Sequence, residues 1–344
     1  MKILIPAYEP NEKLLELIKE IKEIKEKTEI QIIIINDGSS KNTEKIFNKI
    51  KKQNITVLEH KVNKGKGEAI KTGIRYLKTI NEQDGCVFAD ADGQHKVEDI
   101  LKICKELKNK EYDLVLGVRN FKQKGIPFRS KIGNNISKVL FYIMTGEKIL
   151  DTQTGLRGYS KNIFDLLLNI SGSRYEYEFN VLLEIKDSCI KYTQIPIETV
   201  YEDKNATSHF KPIKDSILIY KPVCKFFVSS IIAAIIDFVL LFVFKSLTQN
   251  LLESVVLARM ISSVINFVIN KNYVFNSNNN ESIIKAIFKY YILVIIIMLL
   301  NYGMLKLLSE IIGINLLISK IITEIVLYSL SFIVQKRFVF KKKI

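Results

Sequence analysis

Short apolar runs alternate with amphipathic segments over the first 210 residues of the chain. The runs have the length and β-branched content of buried strands, and they lie at Lys2–Ile5, Ile30–Ile35, Ile55–Leu58, Cys86–Ala89 and Tyr112–Val118. Between them, apolar residues recur at helical spacing, as in 12–27, 68–78, 97–109 and 129–145. Strands that alternate with helices predict an α/β fold with a doubly wound, mainly parallel sheet.

The pattern changes at about residue 222, where long uncharged runs begin. Four of them, at about 223–244, 251–269, 287–305 and 314–334, are each near the ~20 residues that cross a bilayer core. We therefore predict an all-α transmembrane domain of four helices over 222–344, a juxtamembrane linker over 211–221 and a first domain over 1–210. Phe267–Phe275 (FVINKNYVF) is echoed by Phe332–Phe340 (FIVQKRFVF), which indicates two repeated hairpins.

The net charge of +15 bears on how the predicted domains are oriented in the membrane. Much of the Lys and Arg excess flanks the apolar spans, where anionic lipid head groups would attract it, and no nucleic-acid motif is present. The positive-inside rule then places the first domain and both termini in the cytosol, and the first residues contain no signal-like apolar core. We expect an integral protein of the cell membrane with membrane lipids, and no nucleic acid, as partners.

The four cysteines are scattered, with no C-x-x-C pair, and the three histidines are dispersed. This spacing argues against a zinc site or a disulfide framework and suits a reducing compartment. Asp237, Arg259, Lys320 and Glu324 interrupt or border the spans, and pairing between helices is the simplest explanation for them.

Candidate chemistry begins where the run Cys86–Ala89 ends in Asp90 and Asp92. The carboxyl end of a strand in an α/β sheet is where ligands bind, and paired carboxylates suit Mg²⁺ or Mn²⁺ carrying a substrate phosphate. A capped turn explains this stretch equally well. The turns Asn36–Ser39 and Asn63–Gly67 fall at the same sheet edge and favour the metal-diphosphate site.

Two further stretches have open interpretations. The segment 129–145 is an amphipathic helix with basic flanks, which can lie in a membrane interface or pack on the sheet. Glu176 and Glu178 open another helix, either as donor-sugar ligands or as favourable charges in its first turn, and the structural interpretation is slightly ahead.

Taken in order, these turns resemble glycosyltransferase family 2, with its Rossmann-like GT-A fold, and especially the polyprenyl-phosphate sugar synthases. The motifs that carry the resemblance are Ile5–Tyr8, Asn36–Ser39, Asn63–Gly67, Ala89–Gln94 and Asp151–Arg157. The four spans resemble the GtrA-like membrane domain. One departure is that Glu9-Pro10-Asn11-Glu12 follows Tyr8 where the family usually has Asn-Glu, which leaves open the acid that faces the nucleotide.

The resemblance implies roles for individual residues. The nucleotide sugar would be bound by Pro6, Ala7, Tyr8, Glu9, Asp37, Lys66, Asp90 and Gln94. The metal ion would be held by Asp90, Asp92 and Gln94. The acceptor phosphate would be bound by Arg119, Arg129, Ser130 and His209, and the catalytic residues would be Asp92, Arg119 and Arg129.

The implied reaction is a metal-dependent, inverting transfer of a hexose from GDP-mannose or UDP-glucose to dolichyl or undecaprenyl phosphate. The product would be a β-linked lipid-phosphate sugar for cell-envelope glycosylation. A phosphate acceptor is largely ionised at neutral pH, so no general base is needed.

The alternatives are a translocator or scaffold for lipid-linked sugars and a processive polysaccharide synthase. The second is disfavoured because the chain has no tryptophan for a Gln-x-x-Arg-Trp motif. The sequence does not indicate an oligomeric state.

Overall fold

The computed structural model describes residues 1–25, 30–121, 128–198, 221–275 and 283–340. The chain divides into two compact units, Met1–Ile219 and Tyr220–Ile344, and each is described by itself. His209 and residues 211–220 of the expected linker lie outside the described residues.

The first unit is built on a mixed sheet of seven strands in the order β3-β2-β1-β4-β6-β5-β7. The strands are β1 Lys2–Ala7, β2 Gln31–Asn36, β3 Thr56–Glu59, β4 Cys86–Phe88, β5 Leu114–Arg119, β6 Arg157–Tyr159 and β7 Tyr192–Ile197. All pair in parallel except β6, which is antiparallel to both β4 and β5. The mainly parallel α/β sheet is confirmed, and β6 is its one reversed strand among the described residues.

Seven α-helices accompany these strands in the described part of the first unit. They are α1 Lys13–Lys25, α2 Glu44–Lys51, α3 Lys66–Thr79, α4 Val97–Lys108, α5 Phe128–Thr145, α6 Phe164–Asn169 and α7 Glu176–Asp187. The β-branched run of β2 and the central strand β1 are buried, as expected for strands covered on both faces. Register pairs Ala7 with Asn36 and Leu4 with Phe88, so the loops after β1, β2 and β4 emerge at one edge.

The second unit contains four long apolar helices. These are α8 Lys221–Thr248, α9 Leu251–Ile269, α10 Ile283–Leu305 and α11 Leu316–Val334. The last three continue as π-helical turns at Asn270–Val274, Lys306–Ile311 and Gln335–Val339. All four are long and apolar enough to cross a bilayer.

Equivalent residues of the two repeated motifs meet inside the second unit. The buried amide of Asn270 donates to Oε1 of Gln335 at 3.0 Å, and these residues hold the same place in the two motifs. The rings of Phe275 and Phe340, which also correspond, stack with centroids 5.3 Å apart. Among the intramembrane charges, Asp237 and Arg259 pair between α8 and α9, whereas Lys320 and Glu324 pair within α11.

Candidate active site

A cavity of about 530 Å³ opens at the edge where β1, β2 and β4 end. Its size falls in the range of ligand pockets, and its position at the carboxyl ends of parallel strands is where α/β sheets bind ligands. The described residues that line it are Pro6, Ala7, Tyr8, Glu9, Pro10, Asn11, Asp37, Asn63, Gly65, Lys66, Ala69, Asp90, Ala91, Asp92, Arg174 and Tyr175. Five segments that lie apart in the sequence therefore form one site.

Asp90 and Asp92 enter this cavity from the end of β4. Burial alone would raise the pKa of Asp90, but the ammonium of Lys66 and a hydrogen bond from His95 hold that pKa well below its usual range. Burial, together with the charge of Asp90, raises the pKa of Asp92 above its usual range. The two carboxylates thus repel each other in a partly dry site, and a cation between them would relieve that repulsion.

These residues fit a divalent cation that is held jointly with a phosphate. Within the described residues, no group of three or more His, Cys, Asp or Glu side chains is arranged to hold a metal. Two carboxylates suffice for Mg²⁺ or Mn²⁺ when substrate phosphates and water supply the other ligands. Gln94 donates its backbone amide to Oδ1 of Asp92 at 3.1 Å, and its side chain is not among the lining groups.

Gly155 makes room for the carboxylate of Asp90. A Cβ built on Gly155 would lie 2.0 Å from Oδ2 of Asp90, far inside van der Waals contact. Glycine is therefore required at this position for the loop after α5 to pass behind Asp90.

Lys66 connects Asp90, after β4, with Glu178 on α7. Its ammonium lies 2.6 Å from Oδ1 of Asp90 and 3.1 Å from Oε2 of Glu178. Burial alone would lower the pKa of Lys66, but these two carboxylates raise it above its usual range. Lys66 is therefore a fixed positive charge at the first residue of α3. Glu178 belongs to the site through this contact, whereas Glu176 accepts from the amides of Ser173 and Arg174 as a helix cap does.

Glu9 ties the loop after β1 to the loop after β2, and Asp37 ties the loop after β2 to the turn after β3. Glu9 adopts a positive φ of 47°, and its carboxylate accepts from the amide and hydroxyl of Ser40. Asp37 is buried, and its carboxylate accepts from the amides of Lys64 and Gly65 at 2.9 and 2.8 Å. A ring nitrogen of His60 also lies 2.6 Å from its Oδ1, so most of the hydrogen-bonding capacity of Asp37 is used by the protein.

The motif Asp151–Arg157 forms a buried loop whose charged side chains contact neighbouring elements. The fully buried Asp151 accepts from Nε and Nη2 of Arg119 at 2.6 and 3.0 Å. The buried Arg157 donates to the carbonyl oxygens of Thr154 and Glu178 at 2.9 and 2.6 Å. This loop therefore fixes the end of β5 and the start of α7 relative to β4.

The residues expected to bind the acceptor phosphate lie apart from the cavity or outside the described residues. Arg119 ends β5 but does not line the cavity, and its guanidinium pairs with the carboxylate of Asp151. Arg129 and Ser130 fall in the first turn of α5, where their side chains are outside the described residues, as is all of His209.

Helix α5 buries polar residues and exposes apolar ones. Asn134 and Ser137 are at most 1% exposed, and they contact Leu150 and Thr152 of the neighbouring loop. The apolar side chains that are 41–58% exposed are Ile132, Ile136, Val139 and Tyr142. The helix packs on the unit through these polar residues and through Phe141, whose ring lies 5.7 Å from that of Phe179, whereas the four exposed apolar side chains point outward.

Several site residues were missed by the sequence analysis. Arg174 and Tyr175 line the cavity from the start of α7, and His60 and His95 each contact a site aspartate with a ring nitrogen. His95 directly follows the Asp90–Gln94 motif, so its place there was a usable signal. The other three come from turns whose proximity only the folded chain reveals.

Models of two known families match separate parts of the chain. A model of glycosyl transferase family 2 matches residues 2–168, and a model described as the GtrA/DPMS transmembrane domain matches residues 225–340. The match to the second model, with the four apolar helices, identifies an integral membrane protein.

Two curated relatives each match 58% of this chain. UDP-N-acetylglucosamine–dolichyl-phosphate N-acetylglucosaminyltransferase of Methanococcus voltae is 30% identical over 219 residues, 58% of this chain and 86% of the relative. A dolichyl-phosphate beta-glucosyltransferase of Trichomonas vaginalis is 26% identical over 215 residues, 58% of this chain and 65% of the relative. Glucosyl-3-phosphoglycerate synthase of Mycobacterium tuberculosis superposes with a TM-score of 0.49 at 16% identity, over 65% of this chain and 75% of that chain. That last likeness is too weak to bear on function.

Proposed function

Since this chain belongs to glycosyl transferase family 2 and is a glycosyltransferase, we propose that it transfers a sugar from a nucleotide sugar to the phosphate of a membrane polyprenyl lipid. The observation that carries the proposal is the cavity that brings Asp90, Asp92 and Lys66 together at one sheet edge of an integral membrane protein. Its two acids and one fixed cation suit a diphosphate bound through a metal ion.

The names of the relatives support a lipid-phosphate acceptor. Both curated relatives described above are named as transferases to dolichyl phosphate, one from UDP-N-acetylglucosamine and one as a beta-glucosyltransferase. For this chain, dolichyl or undecaprenyl phosphate is the proposed acceptor class. UDP-glucose, UDP-N-acetylglucosamine and GDP-mannose are the donors to compare.

The residues of the cavity would act on the donor by binding and orientation. Asp90 and Asp92, with Gln94 beside them, would hold Mg²⁺ or Mn²⁺, which neutralises the negative charge that develops on the leaving nucleoside diphosphate. Tyr8 is 39% exposed at the cavity wall and would face the base, with Pro6, Ala7, Glu9 and Asp37 around the nucleoside. Lys66 would keep Asp90 oriented and add positive charge near the diphosphate.

The acceptor side needs cations rather than a base. An ionised lipid phosphate is already nucleophilic, but it is repelled by the donor diphosphate, so the positive charges of Arg119 and Arg129 would bring it close. Ser130 and His209 are further proposed contacts. Attack opposite the leaving group inverts the anomeric centre and gives a β-linked product.

Helix α5 follows β5 and would bring its exposed apolar face to the membrane surface. Lys131 and Lys138 lie on the same helix and would meet anionic head groups, as in other interfacial helices. A lipid acceptor would thus meet the catalytic unit, proposed as residues 1–210, close to Arg129 and Ser130.

A donor screen tests the proposal. Purified full-length protein in lipid nanodiscs is incubated with each nucleotide sugar, Mn²⁺ or Mg²⁺ and a polyprenyl phosphate, and the lipid fraction is analysed by mass spectrometry. We expect a lipid-phosphate sugar with one donor. Nucleotide-sugar binding without any lipid-linked product would contradict the proposal and favour a non-catalytic binding role beside a membrane translocator.

A further inference from the structure

His60 is a buried histidine beside the donor cavity that the proposed chemistry does not use. It follows β3 directly, its side chain is 4% exposed, and it is not among the described residues that line the cavity. Its backbone amide donates to the carbonyl oxygen of Asn36 at 2.9 Å, which ties the end of β3 to the end of β2.

Both ring nitrogens of His60 have polar partners. Nδ1 lies 2.6 Å from Oδ1 of Asp37, and Nε2 lies 2.9 Å from the hydroxyl of Thr72 on α3. An ionised carboxylate only accepts hydrogen bonds, so the contact with Asp37 requires the proton on Nδ1. In the neutral ring, Nε2 then accepts from Thr72, and one tautomer satisfies both contacts.

The carboxylate that His60 contacts also organises the phosphate turn. Asp37 accepts from the amides of Lys64 and Gly65, and the next residue is Lys66, whose ammonium contacts Asp90. The turn is tightly packed, because a Cβ on Gly38 would lie 2.2 Å from the carbonyl carbon of Val62. Rotation of Asp37 would therefore move the amides and the lysine that lie nearest the donor.

We propose that His60 is a positioning residue for the donor: through Nδ1 it fixes Asp37, and through Asp37 the Lys64–Lys66 turn that receives the nucleoside diphosphate. This role rests on the proposed function, since it assigns the turn to the donor. His60 itself touches neither donor nor acceptor and acts only through Asp37.

Two amide variants separate this role from a general packing role. The amide nitrogen of asparagine falls near the position of Nδ1 and that of glutamine near Nε2. His60→Asn therefore keeps a donor for Asp37, whereas His60→Gln keeps only the contact with Thr72. The full-length protein in nanodiscs is titrated with UDP and with GDP in the presence of Mn²⁺, and donor KM, acceptor KM and kcat are measured with the active donor.

We expect His60→Gln to weaken nucleoside diphosphate binding and raise donor KM by about tenfold, the loss of one charge-assisted hydrogen bond. His60→Asn should recover most of that loss, and acceptor KM should stay the same. Ser160→Ala is the matched control, because Ser160 donates to the carboxylate of Asp113 at the opposite sheet edge. It should leave nucleotide binding unchanged.

Equal nucleotide affinities of the two amide variants, whether both normal or both reduced, would overturn the positioning role. A wild-type protein that binds UDP or GDP but forms no lipid-linked sugar would contradict the proposed function, while the contrast between the variants would still decide the role of His60. A wild-type protein that binds neither nucleotide would overturn both.

Discussion

At the scale of single residues, the main feature of the site is that two neighbouring carboxylates, Asp90 and Asp92, have different charge environments. Asp90 is held in its charged form by Lys66 and His95, whereas Asp92 accepts from the backbone amide of Gln94 and feels the charge of Asp90. Asp92 is therefore the carboxylate most available to a cation, and Asp90 the one most firmly oriented by the protein.

Asp92→Asn should lower kcat by at least about 100-fold, because the amide keeps the size of the side chain but loses the charge that attracts a divalent ion. It should not lower the melting temperature, since it removes repulsion from Asp90. Titration of Mn²⁺ in the presence of UDP and a thermal melt measure the two effects. Asp165→Asn, on the exposed surface of α6, is the control for loss of one negative charge. Activity within a few-fold of wild type would show that Asp92 does not hold the ion.

Gly155→Ala tests whether the position of Asp90 matters. The new Cβ would meet Oδ2 of Asp90 at 2.0 Å, so the carboxylate must move away from residue 155 and its contact with Lys66 must change. Displacement by about 1 Å costs about 100-fold in activity when positioning is the main contribution. Turnover is compared with that of Gly303→Ala, whose Cβ meets nothing within 4 Å. Equal activities of the two variants would contradict the positioning of Asp90.

At the scale of elements, α5 is the unusual helix, because its buried side carries amide and hydroxyl groups. Nδ2 of Asn134 donates to the carbonyl oxygen of Leu150 and the hydroxyl of Ser137 contacts that of Thr152, so this polar side is held by residues 150–152 and the apolar stripe is left uncovered. An exposed apolar stripe on a membrane protein is best explained by contact with lipid.

Val139→Glu should reduce activity towards a long-chain polyprenyl phosphate in bilayers by about tenfold, since Val139 is 58% exposed on this stripe. Activity towards a short-chain acceptor in detergent should be unchanged, because that acceptor needs no membrane contact. Ile80→Glu makes the same change at another exposed apolar residue, 42% exposed beyond the end of α3. Equal losses with both acceptors, or the same loss in Ile80→Glu, would contradict the membrane contact.

The sequence predicts where helices and strands lie better than it predicts which of them pack against each other. The β-branched run at Ile30–Ile35 identifies β2, and the two acids after β4 identify one wall of the cavity, because both signals are local. The reversed strand β6 and the contacts of His60 depend on pairings between distant segments, and residue periodicity carries no information about those pairings. The outward direction of the apolar face of α5 also follows from its partner loop, so the sequence leaves two interpretations open.

At the scale of the whole molecule, one chain combines a family 2 glycosyltransferase unit with four membrane helices in two repeats. The buried pair Asn270 and Gln335 joins corresponding positions of the repeats, and the amides satisfy each other where no water is available. Corresponding positions of the two repeats thus meet inside the membrane unit.

The distribution of lysines predicts that the loop between α9 and α10 faces the cytosol, together with the catalytic unit and both termini. With the exposed Cys189 and Cys224 replaced by serine, an impermeant thiol reagent should label Gln249→Cys in intact cells. Asn279→Cys should be labelled only after permeabilisation. The reverse pattern would contradict the orientation.

The central claim is that a nucleotide sugar bound in the cavity transfers its sugar to a lipid phosphate. Its most direct test measures, in the same reaction of the purified full-length protein, the nucleoside diphosphate released and the lipid-phosphate sugar formed. We predict that release requires both a divalent ion and the polyprenyl phosphate, and that the two products appear in equal amounts. Release that is independent of the lipid, or the absence of a lipid-linked sugar with every donor, would contradict this account.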